Sequence, residues 1–372
     1  MTLDRRTVLK GGAALSALAA SPSILRSGPA FGANEFAPKP GAWRTYEITT
    51  AIEILKSDGA AQVWVPVPAL TQESWIKAGD TTWTTPTGKA ARVRDAKSGA
   101  EMIHITWPTG DAKPEAVIVS RFQARDRSVA LDKSAAAPVL TDELRKRYTS
   151  ATELLPLDGI VAETAQKITA GTTSDLDKAK RIYDWVVDNT YRNPKTRGCG
   201  TGDIASMLKT GTLNGKCADL NALYVGLARA SGLPARDIYG IRVSPSSFGY
   251  KALGANAAIV TKAQHCRAEV FLDGIGWFPV DPADVRKVVL EEPPANLALD
   301  DPKVLAVRAA LFGSWETNWL GFNDAHDVKL PGSDGPTVPF LMYPQGETKQ
   351  GRLDSLDPDN FKYVITAREI TG

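Results

Sequence analysis

Three residue types that together carry out acyl transfer occur in order along the chain. Cys217 lies in "NGKCADLNALY", His265 opens "HCRAEVFL" and Asp281 ends "WFPVD". A thiolate attacks a carbonyl carbon, an imidazole holds and returns the proton, and a carboxylate orients the imidazole. These residues therefore predict a Cys-His-Asp triad that forms a thioester with the acyl part of an amide.

The sequence around Cys217 predicts a reactive thiol. Apolar residues recur at helical spacing after Gly215, at Leu220, Leu223, Tyr224 and Leu227. Cys217 then lies in the first helical turn, where free N–H groups and the helix dipole lower a thiol pKa and can receive an oxyanion. Asp219, in the same turn, is interpreted as a helix-start charge and not as a catalyst. Two candidates stand for the second oxyanion donor, Tyr191 and Gln264.

The base and the acid fall on two strands of one predicted hairpin. A two-residue turn at Asp273-Gly274 places position 282 opposite His265. Asp281 is one residue from that position, so a bulge or a register offset brings its carboxylate to the imidazole. Taken alone, an aspartate before proline is typical of a turn.

The other two cysteines allow a disulfide or a metal site. Along its strand Cys266 faces away from His265, so we expect it to lie apart from the histidine's chemistry. In an oxidising compartment this predicts a disulfide between Cys199 and Cys266, which leaves Cys217 as the thiolate. The alternative is a zinc site that also uses Cys217 and His265. It lacks a C-x-x-C pair, and His265 and Cys266 point to opposite faces.

Two further features lie near the predicted triad. Arg267 and Glu269 share the face of His265, and we interpret them as a solvated, salt-bridged strand face. The alternative is that they line the cleft. The stretch "GCGTG", residues 198–202, lacks the G-K-[ST] ending of a phosphate loop. We interpret it as a flexible wall of the substrate groove.

The elements that position these residues follow two kinds of pattern. Alternating apolar residues with Gly and Pro turns predict a β-sandwich over residues 38–135 that folds as its own unit. Near residue 140 the pattern becomes helical, and a catalytic core is predicted over residues 140–290. Residues 291–372 add a C-terminal helix and strands that pack on that core.

Two quoted segments resemble the core of the transglutaminase-like superfamily. They are "NGKCADLNALYVGLARASGLPAR" and "HCRAEVFLDGIGWFPVDP", within roughly residues 160–290. The resemblance implies a papain-like α+β fold, here preceded by an N-terminal β-sandwich, in a bacterial exported protein. It also implies that Cys217 is the nucleophile, His265 the base and Asp281 the orienting acid. Many relatives have an aromatic residue where this chain has Arg267, which puts the substrate-contacting wall in question but not the triad.

The N-terminus predicts export. Arg5 and Arg6 precede a weakly apolar run and a zone of small residues, and residues 1–33 together match a twin-arginine signal. The apolar run is too short to span a membrane, and no other span is predicted. Without residues 1–33 the formal charge falls from +2 to −1, which excludes strong electrostatic binding to nucleic acid or anionic membranes. We expect a periplasmic or secreted protein.

Together these features predict a cysteine-dependent peptidase or amidase of the cell envelope. Its partner is a protein or peptide substrate, and it needs no metal or organic cofactor. Transfer of the acyl group to an amine would instead make it a protein cross-linking transglutaminase, and a non-catalytic envelope binding protein on the same fold is a third possibility. The sequence does not separate hydrolysis from amine transfer, because that choice depends on how the groove excludes water. The oligomeric state is left open.

Overall fold

A mixed sheet with helices packed against it carries the predicted catalytic residues, and a pair of facing sheets lies beside it. The computed structural model describes residues 35–55, 59–110, 113–131 and 138–370. The predicted export signal, residues 1–33, lies outside these ranges. The described residues form one compact unit. None of their helices is both long enough and apolar enough to cross a bilayer.

The strands of the described ranges are numbered in chain order. They are β1 (Arg44–Ile54), β2 (Ala61–Pro66), β3 (Ile76–Thr84), β4 (Lys89–Arg94), β5 (Glu101–Trp107), β6 (Glu115–Ala124), β7 (Arg127–Ser128), β8 (Tyr191–Arg192), β9 (Asn214–Gly215), β10 (Ala235–Arg242), β11 (Gln264–Leu272), β12 (Gly276–Val280), β13 (Ser314–Trp315), β14 (Trp319–Asn323), β15 (His326–Val328), β16 (Val338–Phe340), β17 (Gln345–Thr348), β18 (Gly351–Leu353) and β19 (Phe361–Ile370).

The α-helices are numbered in the same way, and a short 3₁₀ helix covers Lys251–Leu253. They are α1 (Asp142–Tyr148), α2 (Gly159–Thr169), α3 (Asp175–Asn189), α4 (Ile204–Thr210), α5 (Cys217–Ala230), α6 (Pro282–Glu291) and α7 (Pro302–Ala310).

The predicted β-sandwich is present, but the C-terminal strands complete it. One sheet has the order β19-β1-β6-β3 and the other β18-β17-β2-β5-β4. Their facing sides bury one apolar cluster, which includes Ile52, Val63, Ile105 and Phe361. The residues predicted as the sandwich therefore do not contain all its strands. Of the C-terminal strands predicted to pack on the catalytic core, β17, β18 and β19 are hydrogen-bonded into the two sandwich sheets, whereas β14 joins the sheet of the core.

One face of the β19-β1-β6-β3 sheet covers two different cores. Ile52 of β1 packs in the sandwich cluster. Ile48, on the same face of β1, packs with the helices of the catalytic core, and so does Ile365 of β19. Because side chains two residues apart share a face, one continuous strand can seal both cores. We therefore revise the boundary near residue 140, since the two parts share a sheet.

The catalytic core is an antiparallel sheet of order β12-β11-β10-β14 with helices against it. Helix α5 packs on β10 and β11 and is buried along nearly its whole length. Helix α3 begins after Ser174, a residue type that favours the start of a helix, and the Ser174 hydroxyl accepts from the Asp177 N–H at 3.1 Å. Its buried stripe faces α2, α5 and α6. The helices thus fix one end of α5 against the sheet that carries the base.

The hairpin of β11 and β12 forms with a different register from the predicted one. Leu272 pairs with Gly276, so the turn has three residues and not two. Gly274, within that turn, has φ 84°, a left-handed conformation that favours glycine. In this register Asp281 is not paired with His265 across the two strands. Another part of the structure must bring the two side chains together.

Candidate active site

The N-terminus of α5 holds Cys217 at the edge of a cleft. The residue is the first of the helix and only 3% exposed. Within the described part of the chain its backbone N–H has no acceptor, as expected at the first position of a helix. The next N–H, of Ala218, donates to the Cys199 carbonyl at 2.9 Å. The thiol thus lies beside one free donor at the positive end of the helix dipole.

His265 and Asp281, the predicted base and acid, lie within hydrogen-bond distance of each other. His265 Nε2 lies 2.7 Å from Asp281 Oδ2, and both side chains are buried. Strand β12 ends at Val280, and Asp281 then caps α6 by accepting from the Asp284 N–H at 3.0 Å. The turn from strand to helix, and not strand pairing, brings the carboxylate to the imidazole. Because Nε2 is occupied, Nδ1 is the nitrogen left to face Cys217.

Two side chains that the sequence analysis did not single out position this pair. Asn221 donates from Nδ2 to a backbone carbonyl of β11 at 2.8 Å and to Asp281 Oδ1 at 3.3 Å. Trp319 donates from Nε1 to the His265 carbonyl at 2.8 Å. Asn221 follows Cys217 by four residues, so both lie on one side of α5. That spacing was the one sequence signal available for Asn221.

A second carboxylate lies beside the imidazole. Asp284 Oδ2 is 3.4 Å from His265 Nε2, and Arg242 donates to both Asp284 oxygens at 2.5 and 2.7 Å. His265, Asp281 and Asp284 lie close enough together to offer three metal ligands. However, the Arg267 Nε lies 3.6 Å from Asp281, so two guanidinium groups already neutralise the carboxylates. This donor set suits a buried hydrogen-bond network better than a hard cation.

The surroundings favour a thiolate and an imidazolium. Hydrogen bonds from the Cys199 and Cys266 thiols, together with the His265 charge, outweigh burial and hold the pKa of Cys217 well below its usual range. Burial and the nearby Arg242 charge lower the pKa of His265, but Asp284 and Asp281 outweigh them and raise that pKa to about 9. The two shifts are of opposite sign, as the ion pair of a cysteine nucleophile and its base requires.

The two acids differ in their environment. Burial raises the pKa of Asp281, and the neighbouring Asp284 charge adds to that shift. For Asp284, burial is outweighed by the Arg242 and His265 cations, which hold its pKa well below the usual range. Asp284 is therefore the carboxylate most firmly kept charged, while Asp281 makes the shorter hydrogen bond to the ring.

All three cysteines are free, so the predicted disulfide between Cys199 and Cys266 is wrong. Both thiols instead lie close enough to Cys217 to lower its pKa, and the Cys199 thiol donates to the Gln264 carbonyl oxygen at 3.4 Å. We expected Cys266 to lie apart from His265 and its chemistry, but its thiol acts on Cys217. That expectation is wrong. Among the described residues the sulfurs do not form a close group of ligands with His265, which disfavours the zinc alternative.

Asp219 anchors the glycine-rich loop of residues 198–202. Its Oδ1 accepts from the N–H groups of Thr201 and Gly202 at 2.9 and 3.0 Å, and its Oδ2 accepts from the Lys216 N–H at 2.9 Å. The loop is thus tied to the first turn of α5. Asp219 is a helix-start residue, as interpreted, with a second task that its sequence position did not reveal.

The thiol and the imidazole open into a cleft of about 690 Å³. Gly198 and Cys199 line it, so the glycine-rich loop is a wall of the groove. Apolar side chains form another wall, namely Tyr343, Leu356, Pro358, Phe361 and Tyr363. The C-terminal residues that enter the sandwich thus also shape the site.

The two candidates for the second oxyanion donor differ in position. Gln264 lines the cleft, and its Nε2 is buried without a hydrogen-bond acceptor in the described residues. Tyr191 is 51% exposed, and its hydroxyl accepts from Asn214 Nδ2 at 2.7 Å. The free donor of Gln264 therefore complements the N–H of Cys217 better than the tyrosine does.

The solvated strand face predicted for Arg267 and Glu269 is wrong. Both side chains are buried, at 2% and 0% exposure. Glu269 forms ion pairs with Arg127 and Arg236, and Arg267 donates to the Glu316 carbonyl at 2.9 Å. Charge on a strand usually indicates a solvated face, but here other segments cover that face and supply the partners.

Comparison with known proteins shows which family and which solved structures this chain is similar to. A model of the transglutaminase-like superfamily matches residues 162–282. An uncharacterized protein of Haemophilus influenzae is 34% identical over 343 residues, which cover 87% of this chain and 91% of that protein. A proposed cysteine protease from Cytophaga hutchinsonii is 14% identical and aligns over 89% of this chain and 99% of its own, with a TM-score of 0.51. The periplasmic domain of TgpA from Pseudomonas aeruginosa, 16% identical, covers 67% of this chain and 90% of its own with a TM-score of 0.34.

Proposed function

Because this chain belongs to the transglutaminase-like superfamily, we propose that it is a peptidase or amidase that acts through Cys217, His265 and Asp281. The observation that carries this proposal is the 2.7 Å pair of His265 and Asp281 beside a thiol whose pKa is strongly lowered. A buried cysteine of purely structural use needs neither an imidazolium nor an orienting carboxylate.

The proposed reaction has two halves. The Cys217 thiolate attacks the carbonyl carbon of an amide, and the free N–H of Cys217 and Gln264 Nε2 stabilise the oxyanion. The C–N bond then breaks, and the leaving amine takes the proton that His265 carried on Nδ1. Water next attacks the thioester and gives a proton to His265, the C–S bond breaks, and the acid product leaves with the thiolate restored.

The test uses the mature protein and its Cys217→Ala variant with a mixture of bacterial envelope proteins. Mass spectrometry then separates the outcomes. New termini indicate peptidase action, glutamine converted to glutamate indicates deamidation, and joined peptides indicate cross-linking. We expect hydrolysis products that the variant does not form, with thermal unfolding of the two proteins alike. Product formation by the variant at the parent's rate would remove Cys217 from the mechanism.

We further propose that the protein works in the periplasm or outside the cell. The paired Arg5 and Arg6 ahead of an apolar run support export by the twin-arginine route. Replacing both arginines with lysine should keep the precursor in the cytoplasm. Fractionation of cells that express either form measures this, and unchanged export of the lysine variant would contradict the route.

A further inference from the structure

The catalytic cleft is strongly basic. Six cationic side chains line it, and among the described lining residues none is acidic. The six are Arg192, Arg197, Lys216, Arg242, Lys262 and Lys287. Since the chain as a whole carries almost no net charge, this concentration belongs to the cleft and not to the general surface.

Neighbouring carboxylates balance only part of this charge. Asp284 pairs with Arg242, Asp354 pairs with Arg197, and Glu291 is shared between Arg192 and Lys287. Three carboxylates against six cations leave an excess of three positive charges around the cleft.

Two of the cations have no ion-pair partner. Lys216 and Lys262 form none in the part of the chain that the structure describes. Lys216 precedes the nucleophile directly, and Lys262 lies in the segment that leads to His265. Both are therefore placed to act on a molecule that enters beside the reacting atoms.

A third lysine, Lys287, lies in surroundings that disfavour its positive charge. Lys287 is nearly buried, and burial together with the charge of Arg242 lowers its pKa to about 8. A bound anion would offset both effects, because a further negative charge beside Lys287 would add to that of Glu291 and favour the charged lysine.

Resting on the proposed function, we infer that the acyl donor is an anionic peptide whose carboxylate lies beside the amide that Cys217 attacks. Guanidinium and ammonium groups bind carboxylates by charge-assisted hydrogen bonds. The apolar lining residues of the same cleft, among them Tyr343, Leu356 and Tyr363, receive the apolar part of the peptide. The carboxylate comes either from acidic side chains or from a peptide C-terminus.

Protection of Cys217 from alkylation tests this inference. Iodoacetamide labels the thiol, and mass spectrometry of the tryptic peptide that contains Cys217 gives the rate. Three peptides compete: acetyl-Ala-Glu-Ala-Glu-Ala-amide, acetyl-Ala-Gln-Ala-Gln-Ala-amide, and the glutamine peptide with a free C-terminal carboxylate. We expect at least one carboxylate peptide to protect at concentrations about tenfold below the neutral amide, with protection weakening as salt rises. The better of the two carboxylate peptides identifies the source of the charge.

Matched variants locate the charge. The double variant Lys216→Gln, Lys262→Gln should lose most of the preference, while Lys167→Gln, on α2 and away from the cleft, should keep it. Equal protection by all three peptides, protection by none, or better protection by the neutral amide would overturn the inference. Failure of the proposed function looks different: Cys217 would then react with iodoacetamide no faster at mildly acidic pH than in the unfolded chain.

Discussion

At the residue scale, the reactivity of Cys217 follows from opposing effects on one thiol. Burial opposes ionisation, but two neighbouring thiols and the His265 charge favour the thiolate more strongly. Residue type and the predicted oxidising compartment, taken alone, favour a disulfide between Cys199 and Cys266. In the structure they instead favour the negative charge of Cys217, the proposed nucleophile.

The pH dependence of kcat/KM should show these shifts. Because the pKa of Cys217 is lowered, the thiolate persists on the acid side of neutrality. Because the pKa of His265 is raised to about 9, the imidazolium that protonates the leaving amine is lost only as the pH rises through that value. We expect a plateau through neutral pH and a fall around pH 9, with apparent values that belong to the pair. A maximum confined to pH 5 or below would contradict this ion pair.

Asp281→Asn should lower kcat by roughly 10²- to 10⁴-fold, less than loss of the thiol does. The amide removes a negative charge beside Nε2, while Asp284 remains 3.4 Å away. The alkaline limb of the pH profile should move to lower pH, because one of the charges that raise the pKa of His265 is gone. Asparagine also caps helices well, so α6 should persist.

The control for this change is Asp203→Asn. Asp203 caps α4 by accepting from the Ser206 N–H at 3.0 Å, and it does not line the catalytic cleft. It should leave both kcat and the pH profile unchanged. Equal kcat values for the parent and Asp281→Asn would remove Asp281 from the site.

At the element scale, the start of α5 is where the parts of the site meet. The helix presents Cys217 and Asn221 on one side, and Asp219 ties the glycine-rich loop to its first turn. The chain approaches closely here: a Cβ on Gly200 would lie 1.8 Å from Asp219 Oδ2. A residue with a side chain at position 200 could not take this path.

Gly200→Ala should therefore disturb the loop and reduce activity. Gly200 has φ 96°, so alanine suffers backbone strain of about 1–2 kcal/mol and a clash with Asp219 in addition. Gly171→Ala is the matched control, because Gly171 has φ 72° but open space around it. Urea denaturation should show a larger loss of stability for Gly200→Ala, and the reaction rate should fall only for that variant. Equal effects of the two changes would contradict the close packing.

At the scale of the whole molecule, the sandwich and the catalytic core share a sheet. The first and last strands of the described residues meet in it, since β1 and β19 pair along their length. Strand β19 also contacts the core directly, because the Val260 N–H donates to the Ile365 carbonyl at 2.7 Å. Stability of the site is thus linked to strands far away in sequence.

Ile365→Ala should destabilise the protein by about 2–5 kcal/mol, because it removes a buried side chain from the shared core. Val364→Ala, the neighbour on the other face at 37% exposure, should cost much less. Urea unfolding followed by tryptophan fluorescence and by loss of activity should give one coincident transition for each variant. Two separate transitions would instead support a sandwich that folds independently.

Much of this arrangement was predictable from local sequence. The helix start at Cys217, the Ser174 cap of α3 and the alternation in β1 all depend on residues within a turn or a strand of one another. Such short-range patterns follow from backbone geometry, so the sequence predicted the elements and the identity of the triad residues.

Only the tertiary structure decided the contacts between distant segments. The three-residue turn shifted the hairpin register, and Asp281 reached His265 from a helix cap instead of a paired strand. The thiols of Cys199 and Cys266 met at Cys217, and β19 joined β1, because long-range packing brought those segments together. Local periodicity carries no information on such distances, which is why the free thiols, the buried charges and the basic cleft appeared only in the folded chain.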